Sequence, residues 1–319
     1  MKWDEVSRRA FLKTAAAAGL SAALGEFGGN LAQAAELAGE IPVRTLGRTG
    51  LRVAMIGLGG YHAGLPDKEE DTSAIIHRAL DLGINFFDNA YCYQEGRAEE
   101  RMGRALEGRR QKICLMSKVD QRDARGAHEQ LEKTLRRLRT DYLDIWQFHA
   151  VSRLQELDII FGPGGAMETA AQAKKEGKIR CLGLTGHADP AVHLEALKRY
   201  AFDTIQIPVN VVDPHYQNFR QTVLEEAVKR NLGIIAMKSL GFGNILRLGI
   251  AQAAEALPWA WSQPISVLVS GCDRREVLDY NVYLAKTFQP MPESEQAALL
   301  ERTKLRAGTN AEHCKICTG

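Results

Sequence analysis

Four polar residues in the first half of the sequence have side chains that together could deliver a proton. Asp88 and Lys118 each end a short apolar run, His149 ends a third run, and Tyr93 follows Asp88 by five residues. A free tyrosine has a pKa of about 10, and a neighbouring ammonium group lowers that pKa by favouring the phenolate. Lys118 can supply the ammonium, Asp88 can keep it charged, and a neutral His149 can donate a hydrogen bond to a carbonyl oxygen. The four residues therefore predict a proton donor beside a carbonyl-binding group.

The apolar runs that carry these residues are predicted to be parallel strands. Segments of helical periodicity separate them, and strands that alternate with helices form parallel sheets whose carboxyl ends share one edge. In a (β/α)₈ barrel, which is an α/β fold, that edge is the rim where catalytic residues lie. A lone lysine or histidine after a strand is more often a solvated loop residue. Four such residues after three successive strands fit that alternative poorly, so we predict a (β/α)₈ barrel.

The segment from Asp88 to Gly103 (Asp-Asn-Ala-Tyr-Cys-Tyr-Gln-Glu-Gly-Arg-Ala-Glu-Glu-Arg-Met-Gly) resembles the signature of the aldo-keto reductases. The similarity extends over about residues 43–285. It implies a (β/α)₈ (TIM) barrel that binds a nicotinamide cofactor and reduces an aldehyde or ketone, a small-molecule carbonyl substrate. The roles that it implies are Tyr93 as general acid, Lys118 and Asp88 as the groups that tune it, and His149 as the group that orients the carbonyl.

The resemblance further implies contacts with the cofactor from residues that follow the later strands. These residues are Thr185, His187, Gln206, Lys238, Leu240, Gly241, Gly243, Arg274 and Asn281. The glycines after Lys238 allow backbone N–H groups to face a pyrophosphate, which Lys238 could also contact. Gln206 corresponds to the family residue that binds the nicotinamide carboxamide, and Asn281 corresponds to the one that contacts adenine.

The carboxamide site departs from the usual family pattern. Thr185-Gly186-His187 stands where typical members have Ser-Asn, as it does in a little-characterised subgroup of the family. Thr185 keeps a hydroxyl there, whereas Gly186 cannot replace the amide. His187 either takes the place of that amide or caps the helix that Asp189 and Pro190 predict.

The site for the adenosine 2′-phosphate departs from the pattern as well. Members of the family that hold this phosphate often have Lys and Arg at the positions of Gly271 and Val277. Arg274 or Arg275 can substitute at the start of the last barrel helix, where a helix N-terminus favours phosphate. We therefore favour NADP(H) over NAD(H) as the cofactor.

The first residues of the chain resemble a twin-arginine signal peptide. Ser-Arg-Arg-Ala-Phe-Leu-Lys at residues 7–13 precedes an alanine-rich run, and Ala32-Gln33-Ala34 matches a small-x-small cleavage site. The alternative is an amphipathic N-terminal helix with a chance Arg-Arg pair. We predict export to the periplasm by the twin-arginine export machinery, which carries folded proteins with their cofactor already bound. A periplasm maintains no pool of NADPH, so the supply of reduced cofactor after export is an open question.

Composition favours one globular domain after the signal. With 319 residues, of which 45% are hydrophobic and 25% charged, the chain can form one sizeable core. The net charge of +2 argues against nucleic acid or a membrane surface as a partner, and no later segment is apolar for long enough to insert stably into a membrane. We divide the chain into a signal peptide (1–34), a linker (35–42), the barrel (43–290) and a C-terminal helix with a Cys-x-x-Cys tail (291–319).

Segments between the strands carry further expectations. Residues 43–53 predict a hairpin that closes the amino end of the barrel. A long loop is expected from His149 to about Pro163, with Arg153 and Phe161 as walls of the substrate pocket. Two further wall residues are expected after the first barrel strand, Tyr61 and His62. The basic cluster of Lys133, Arg136, Arg137 and Arg139 is interpreted as a solvated helix face.

The six cysteines form no evident disulfide framework. Cys92, Cys114 and Cys181 are interpreted as small buried residues, and we assign no metal ligands. Cys314 and Cys317 could form a disulfide after export, half of a metal site or an idle tail. Two functions other than carbonyl reduction stay open. The resemblance allows a non-catalytic nucleotide-sensing barrel, because some members of the family are regulatory subunits. The tail cysteines allow a metal-containing electron-transfer protein.

Overall fold

Eight parallel strands close into a barrel in the computed structural model, which describes residues 31–307. In chain order the strands are β1 Val43–Thr45, β2 Arg52–Ala54, β3 Ile56–Gly59, β4 Phe86–Asp88, β5 Cys114–Val119, β6 Leu143–Phe148, β7 Ile179–Thr185, β8 Thr204–Pro208, β9 Gly233–Met237 and β10 Val267–Gly271. Strands β3 to β10 pair in sequence order, and β10 also pairs with β3 to close the ring. The predicted (β/α)₈ barrel is confirmed.

The hairpin of β1 and β2 closes the amino end of the barrel, as the sequence predicts. Leu46 and Val53 are fully buried in a cluster that includes Phe86 of β4. The turn between the two strands passes close to the barrel, because a Cβ on Gly47 would lie 2.2 Å from the carbonyl carbon of Leu232. Gly47 also has a φ of +49°, so both the contact and the backbone conformation favour glycine.

Helices surround the barrel and cover its outer face. They are α1 Leu31–Leu37, α2 Gly60–Ala63, α3 Glu69–Asp81, α4 Arg97–Ala105, α5 Ala124–Leu138, α6 Leu154–Phe161, α7 Ala166–Lys175, α8 Pro190–Arg199, α9 Glu225–Lys229, α10 Asn244–Arg247, α11 Ala253–Trp261, α12 Arg275–Lys286 and α13 Glu293–Ala307. A π-helix, Arg220–Leu224, leads directly into α9. The main hydrophobic core lies between these helices and the strands and includes Trp146, Phe148 and Trp259. Pro258 lies inside α11, which remains one helix rather than two.

Helix ends follow the local capping chemistry of the sequence. The carboxylate of Asp123 accepts a hydrogen bond of 2.8 Å from the N–H of Gly126 at the start of α5. At the start of α8 the carboxylate of Asp189 accepts one of 2.8 Å from the N–H of Ala191, with Pro190 in the first helical position. The α8 cap is therefore Asp189, and His187 does not take that role.

One helix lies where the sequence predicts a long loop. Helix α6 occupies most of the connection between β6 and α7, with Leu157 and Ile160 fully buried. Glu156 fixes its first turn by accepting hydrogen bonds from the N–H groups of Ser152 (2.9 Å) and Arg153 (3.0 Å). The helix is short and buries few apolar side chains, so its periodicity is weak in the sequence.

Helix α1 packs against α12 and crosses the boundary that the sequence predicts between signal and linker. Ala34 and Ala35 are buried. Arg78 of α3 donates hydrogen bonds to the carbonyl of Ala32 (3.1 Å) and to Glu36 (2.6 Å). Residues 31–37 thus form part of the folded body rather than an extended linker.

The motifs predicted at the two ends of the chain, Arg8-Arg9 and the pair Cys314 and Cys317, lie outside the described residues. Between residues 31 and 307, none of the helices has the length and apolar character needed to cross a bilayer.

Candidate active site

The carboxyl end of the barrel brings together the four residues predicted to transfer a proton. Asp88 ends β4, Lys118 lies next to the end of β5, and His149 follows β6 directly. The Lys118 ammonium forms an ion pair with the Asp88 carboxylate and donates to the Asn89 carbonyl at 2.6 Å and to the Tyr93 hydroxyl at 3.4 Å. The rings of Tyr93 and His149 meet edge to face, with centroids 5.7 Å apart.

Burial dominates the electrostatics of this group. Desolvation raises the pKa of Tyr93 to about 12, and the Lys118 ammonium acts in the opposite direction. Desolvation is the largest effect on Lys118 and would lower its pKa, but the charges of and hydrogen bonds to Asp88 and Tyr93 together outweigh it, so the pKa of Lys118 is raised. The sequence leads us to expect a lowered pKa for Tyr93. In this structure the phenol instead keeps its proton at neutral pH, and Lys118 limits the rise.

Asp120 determines which nitrogen of His149 carries the proton. The carboxylate of Asp120 lies 2.8 Å from Nδ1 of His149. Burial raises the pKa of Asp120, but the hydrogen bond to His149 and the charge of Arg122 favour the carboxylate, so the pKa is lowered overall. Desolvation lowers the pKa of His149, so the neutral imidazole prevails at neutral pH. A carboxylate can only accept, so Nδ1 donates and Nε2 carries a lone pair. The expectation that a neutral His149 donates to a carbonyl requires the proton on Nε2, which this contact disfavours.

A strained turn holds Tyr93 in place. Gln94 and Glu95 both have positive φ angles, of 45° and 59°, in the turn that begins at Tyr93. The guanidinium of Arg137 donates to the carbonyl of Tyr91 at 3.2 Å and to that of Glu95 at 3.3 Å, on either side of Tyr93. These two hydrogen bonds hold the turn in one conformation and stabilise its strained backbone.

Glu99 anchors this arrangement from inside the protein. It is fully buried and accepts hydrogen bonds from Ser117 (2.6 Å), Thr134 (2.9 Å) and Arg137 (3.2 Å). Arg137 is therefore not simply part of a solvated face, as the sequence suggested, but is half-buried and forms an ion pair with the buried Glu99. Ser117 on β5 directly precedes Lys118, while Glu99 lies on α4 and Thr134 and Arg137 lie on α5. The network therefore connects these three elements next to Lys118.

Aromatic side chains line the mouth of the site. The ring of Tyr61 lies 5.3 Å from that of Tyr93 and 5.2 Å from that of Phe242, and the ring of His62 lies 4.7 Å from that of Phe242. The loop after β9, which carries Phe242, thus contacts the loop after β3 beside Tyr93. A Cβ on Gly271 would lie 2.3 Å from Nδ1 of His62. This contact gives a physical reason why a larger residue is absent at position 271.

Several polar atoms at the same rim are buried and have no hydrogen-bond partner among the described residues. They are Oε1 of Gln206, Nδ1 of His187 and Oγ of Ser239. Gln206 donates from Nε2 to Asp88 at 3.2 Å, so its carbonyl oxygen can accept from a bound group. Buried polar groups are normally paired. These atoms therefore fit a ligand that offers both donors and acceptors, such as a carboxamide, next to a group that offers acceptors, such as a pyrophosphate.

The other residues predicted to bind cofactor lie at the end of β7, on the loops after β9 and β10, and on α12. Thr185 is buried at the end of β7. Lys238, Leu240, Gly241 and Gly243 form the loop after β9, where Lys238 lies 4.4 Å above the ring of Phe242. Arg274 stands at the N-cap of α12 with its Nε 3.9 Å from Asp273. Asn281 is buried and donates to Ser270 Oγ at 2.9 Å.

Two residues predicted to line the substrate pocket lie elsewhere. The ring of Phe161 packs against that of Phe202, with centroids 6.3 Å apart, in the outer layer just before β8. Arg153 is largely exposed and lies 4.0 Å from Glu156 at the start of α6. The wall assignment of Phe161 is wrong, and Arg153 stabilises a helix start.

Sequence reasoning missed Asp120, Glu99 and Cys92. Asp120 follows β5 by one residue, so it has the strand-end position that indicated Lys118 and His149 and could have been found by the same rule. Cys92 was expected to be buried, yet it is exposed next to Tyr93. Nothing in the spacing of Glu99 distinguishes it from Glu100, the other acid of α4, because its burial depends on tertiary contacts.

Comparison with known proteins identifies the class. The model of the aldo/keto reductase family matches residues 55–255, and the chain belongs to this family of oxidoreductases. It is 28% identical to the uncharacterised oxidoreductase YqkF of Bacillus subtilis over 67% of this chain and 70% of that protein. It is 27% identical to an L-galactose dehydrogenase of Arabidopsis thaliana over 69% and 72% of the two chains. The holo form of the aldo-keto reductase AKR11C1 from Bacillus halodurans superposes with a TM-score of 0.72 at 23% identity and covers 86% of this chain and 99% of that one, a likeness of fold.

Proposed function

We propose that the protein reduces an aldehyde or ketone to an alcohol with a reduced nicotinamide cofactor and that Tyr93 is the general acid. The observation that carries this proposal is the 3.4 Å contact between the Lys118 ammonium and the Tyr93 hydroxyl, together with the buried ion pair of Lys118 and Asp88. These groups converge on one hydroxyl at the rim where (β/α)₈ enzymes perform their chemistry. Membership of the reductase family supports the reaction class.

The side chains of the site account for movement of the proton. Tyr93 donates its hydroxyl proton to the carbonyl oxygen as that oxygen gains negative charge. The Lys118 ammonium then stabilises the phenolate, and Asp88 keeps Lys118 charged and in position. His149 would orient the carbonyl through a proton on Nε2, the tautomer that the hydrogen bond between Nδ1 and Asp120 disfavours. When bound, the nicotinamide supplies the hydride to the carbonyl carbon.

Residues at the rim are suited to hold this cofactor. We assign the carboxamide to Gln206, Thr185 and His187, since two of these side chains have unpartnered buried atoms. Ser239 and the backbone of Gly241 and Gly243 would contact the pyrophosphate, with Lys238 and Leu240 beside it. Asn281 would lie near adenine, and Arg274 near a 2′-phosphate, so NADP(H) is favoured over NAD(H). Enclosure by the loop that carries Phe242 would exclude water from the site.

Titration of the purified protein with cofactor and an assay against a panel of aldehydes and ketones test the proposal. We expect quenching of protein fluorescence by NADPH and oxidation of NADPH that depends on the carbonyl compound. Cofactor binding without turnover of any compound would instead favour a nucleotide-sensing barrel. Metal in the purified protein together with a visible absorption spectrum would favour electron transfer through the tail cysteines.

Replacing Arg274 with alanine is expected to weaken NADPH binding by about 10-fold while leaving NADH binding almost unchanged. A charge-assisted contact with a phosphate is lost, and a factor of 10 corresponds to about 1.4 kcal/mol. Fluorescence titration with both cofactors measures the two dissociation constants. Arg275→Ala tests the neighbouring arginine, and Lys175→Ala, at an exposed position on α7, is the control for loss of a positive charge. Equal weakening of both cofactors by Arg274→Ala would contradict the assignment.

Reduction is expected to persist to alkaline pH. Only the protonated phenol can act as an acid, and burial raises the pKa of Tyr93 to about 12. A raised pKa holds the proton as the pH increases, so kcat should not fall through ionisation of Tyr93 below about pH 10, the ordinary tyrosine value. The measurement is kcat against pH at saturating substrates, with circular dichroism to confirm folding at each pH. A kinetic pKa of about 7 to 8 that vanishes in Tyr93→Phe would refute this expectation.

We further propose that the twin-arginine motif directs export of the folded enzyme to the periplasm. The support for this proposal is the motif in the sequence, Arg8-Arg9 before an alanine-rich run. Changing both residues to lysine is expected to retain the protein in the cytoplasm, because the charge stays while the motif is lost. Cell fractionation with activity and immunodetection measures the distribution. Periplasmic accumulation of the Lys-Lys variant at the level of the parent chain would contradict the proposal.

A further inference from the structure

The side chains of Cys92, Asp120 and His149 form a compact group next to Tyr93. One potential ligand atom from each residue lies within 4.8 Å of the others. The Cys92 sulfur is 3.5 Å from Nδ1 of His149, and that nitrogen is 2.8 Å from Oδ1 of Asp120. The three residues come from three successive strand-end segments, after β4, β5 and β6, so the barrel holds them in fixed relative positions.

These separations approach those in a tetrahedral metal site. Zinc bonds of about 2.3 Å to sulfur and about 2.1 Å to nitrogen or oxygen place sulfur and nitrogen about 3.6 Å apart and nitrogen and oxygen about 3.4 Å apart. The pair of Cys92 and His149 already has this separation. The hydrogen bond between His149 and Asp120 must lengthen by about 0.6 Å when a metal replaces its proton.

Two further observations indicate that a cation could reach this group and find an available ligand atom there. Oδ2 of Asp120 is buried and has no hydrogen-bond partner within the described part of the chain. Cys92 is exposed, so a cation has access from solvent. A thiolate, a carboxylate and a neutral imidazole together balance a divalent charge.

The neighbouring charges leave this balance intact. The Lys118 ammonium is engaged by Asp88. Arg122 donates to the carbonyl of His149 at 2.6 Å and pairs with Glu156 at 2.9 Å. Both nearby cations therefore have partners of their own.

We propose that Cys92, Asp120 and His149 form a site for a soft divalent cation of the zinc class, with three protein ligands and a fourth position open to solvent. The sulfur ligand selects zinc-class ions over Mg²⁺ and Ca²⁺, which prefer oxygen. On binding, Cys92 releases its thiol proton to solvent, and the Nδ1 proton of His149 moves to Nε2 as Nδ1 coordinates the metal. The cation thus reverses the tautomer that Asp120 imposes. The site shares His149 with the proposed reductase reaction, but the evidence for it is the geometry of the three ligands and does not rest on that reaction.

Cobalt(II) provides a test that does not depend on activity. The full chain with Cys314→Ser and Cys317→Ser is the parent, since the tail cysteines could bind metal themselves. We expect Co²⁺ to give visible bands of tetrahedral intensity and a near-ultraviolet thiolate-to-cobalt band in this parent. Cys92→Ala should abolish the thiolate band, whereas Cys181→Ala, which removes a buried barrel thiol, should retain it. Absence of the band from the parent, or its persistence in Cys92→Ala, would overturn the proposal.

Calorimetry with Zn²⁺ supplies an independent measurement. One ion should bind per chain, and Cys92→Ala should weaken binding by about 10-fold or more, the effect of disturbing a ligand set. Mg²⁺ should give no signal. Circular dichroism of each variant confirms folding, and Cys92→Ser, which replaces the soft ligand with a hard one at nearly constant size, covers the case in which the alanine variant does not fold. Equal Zn²⁺ affinity in the parent and a folded Cys92 variant would contradict the site.

Discussion

Replacing Tyr93 with phenylalanine is expected to lower kcat for carbonyl reduction by about 10²–10⁴-fold, the usual contribution of a positioned general acid. The substitution removes one oxygen atom, and the ring keeps its contacts with Tyr61 and His149. Cofactor affinity should stay nearly constant, because the residues assigned to the cofactor are untouched. Steady-state kinetics with NADPH and an aldehyde, together with fluorescence titration of NADPH, measure the two effects separately.

Tyr91→Phe is the matched control for this variant. Tyr91 lies two residues earlier in the same segment, and its ring contacts the guanidinium of Arg137 at 4.6 Å, a contact that phenylalanine can keep. Its kcat should remain within about 2-fold of the parent, because the Tyr91 hydroxyl is not one of the groups proposed to transfer the proton and the ring keeps its contact with Arg137. Unchanged turnover in Tyr93→Phe would remove Tyr93 from the mechanism. A comparable loss in Tyr91→Phe would show that the effect belongs to the turn rather than to the acid.

Replacing Lys118 with methionine is expected to have two large effects. The first is a loss of kcat similar to that of Tyr93→Phe, because the phenolate formed in the reaction loses the positive charge that stabilises it. The second is a decrease of about 3–5 kcal/mol in the free energy of unfolding, because the buried Asp88 carboxylate loses its partner. Kinetics and chemical denaturation measure the two effects on the same preparation.

The double variant Asp88→Asn with Lys118→Met separates catalysis from stability. It removes both charges, so a large part of the lost unfolding free energy should return while kcat remains low. Methionine and asparagine are close in size to the residues that they replace, which keeps cavity effects small. Recovery of turnover in the double variant would show that Lys118 acts only through folding. Full turnover in Lys118→Met itself would exclude any role for the ammonium.

The barrel and the residues at its carboxyl rim were predictable because buried strands and their ends produce local sequence patterns. Buried parallel strands produce short apolar runs, and a polar residue directly after such a run marks the carboxyl end. Asp88, Lys118 and His149 share this pattern, and the parallel topology then places them on one rim without knowledge of any distance. The hairpin was predictable for the same reason, since its turn residues are local.

Features that depend on tertiary contacts were not predictable in this way. Arg137 looks like any basic residue of an amphipathic helix until its partner Glu99 is seen to be buried. Phe161 looks like a loop residue because α6 leaves a weak periodic pattern, and only the fold shows that its ring lies in the outer layer. The pKa of Tyr93 depends on a balance between burial and the Lys118 charge, and sequence order reveals the charge but not the burial.

Docking of α1 on the barrel has a consequence for proteolytic processing. The three residues of the expected cleavage site, Ala32-Gln33-Ala34, lie within one turn of helix, with Ala34 buried. Proteases act preferentially on exposed, open backbone, so scission there requires this turn to detach and unwind first. Removal of residues up to 34 would also remove part of the helix that packs against α12. If the chain is exported and processed as we propose, cleavage at this site therefore competes with packing of α1 against α12.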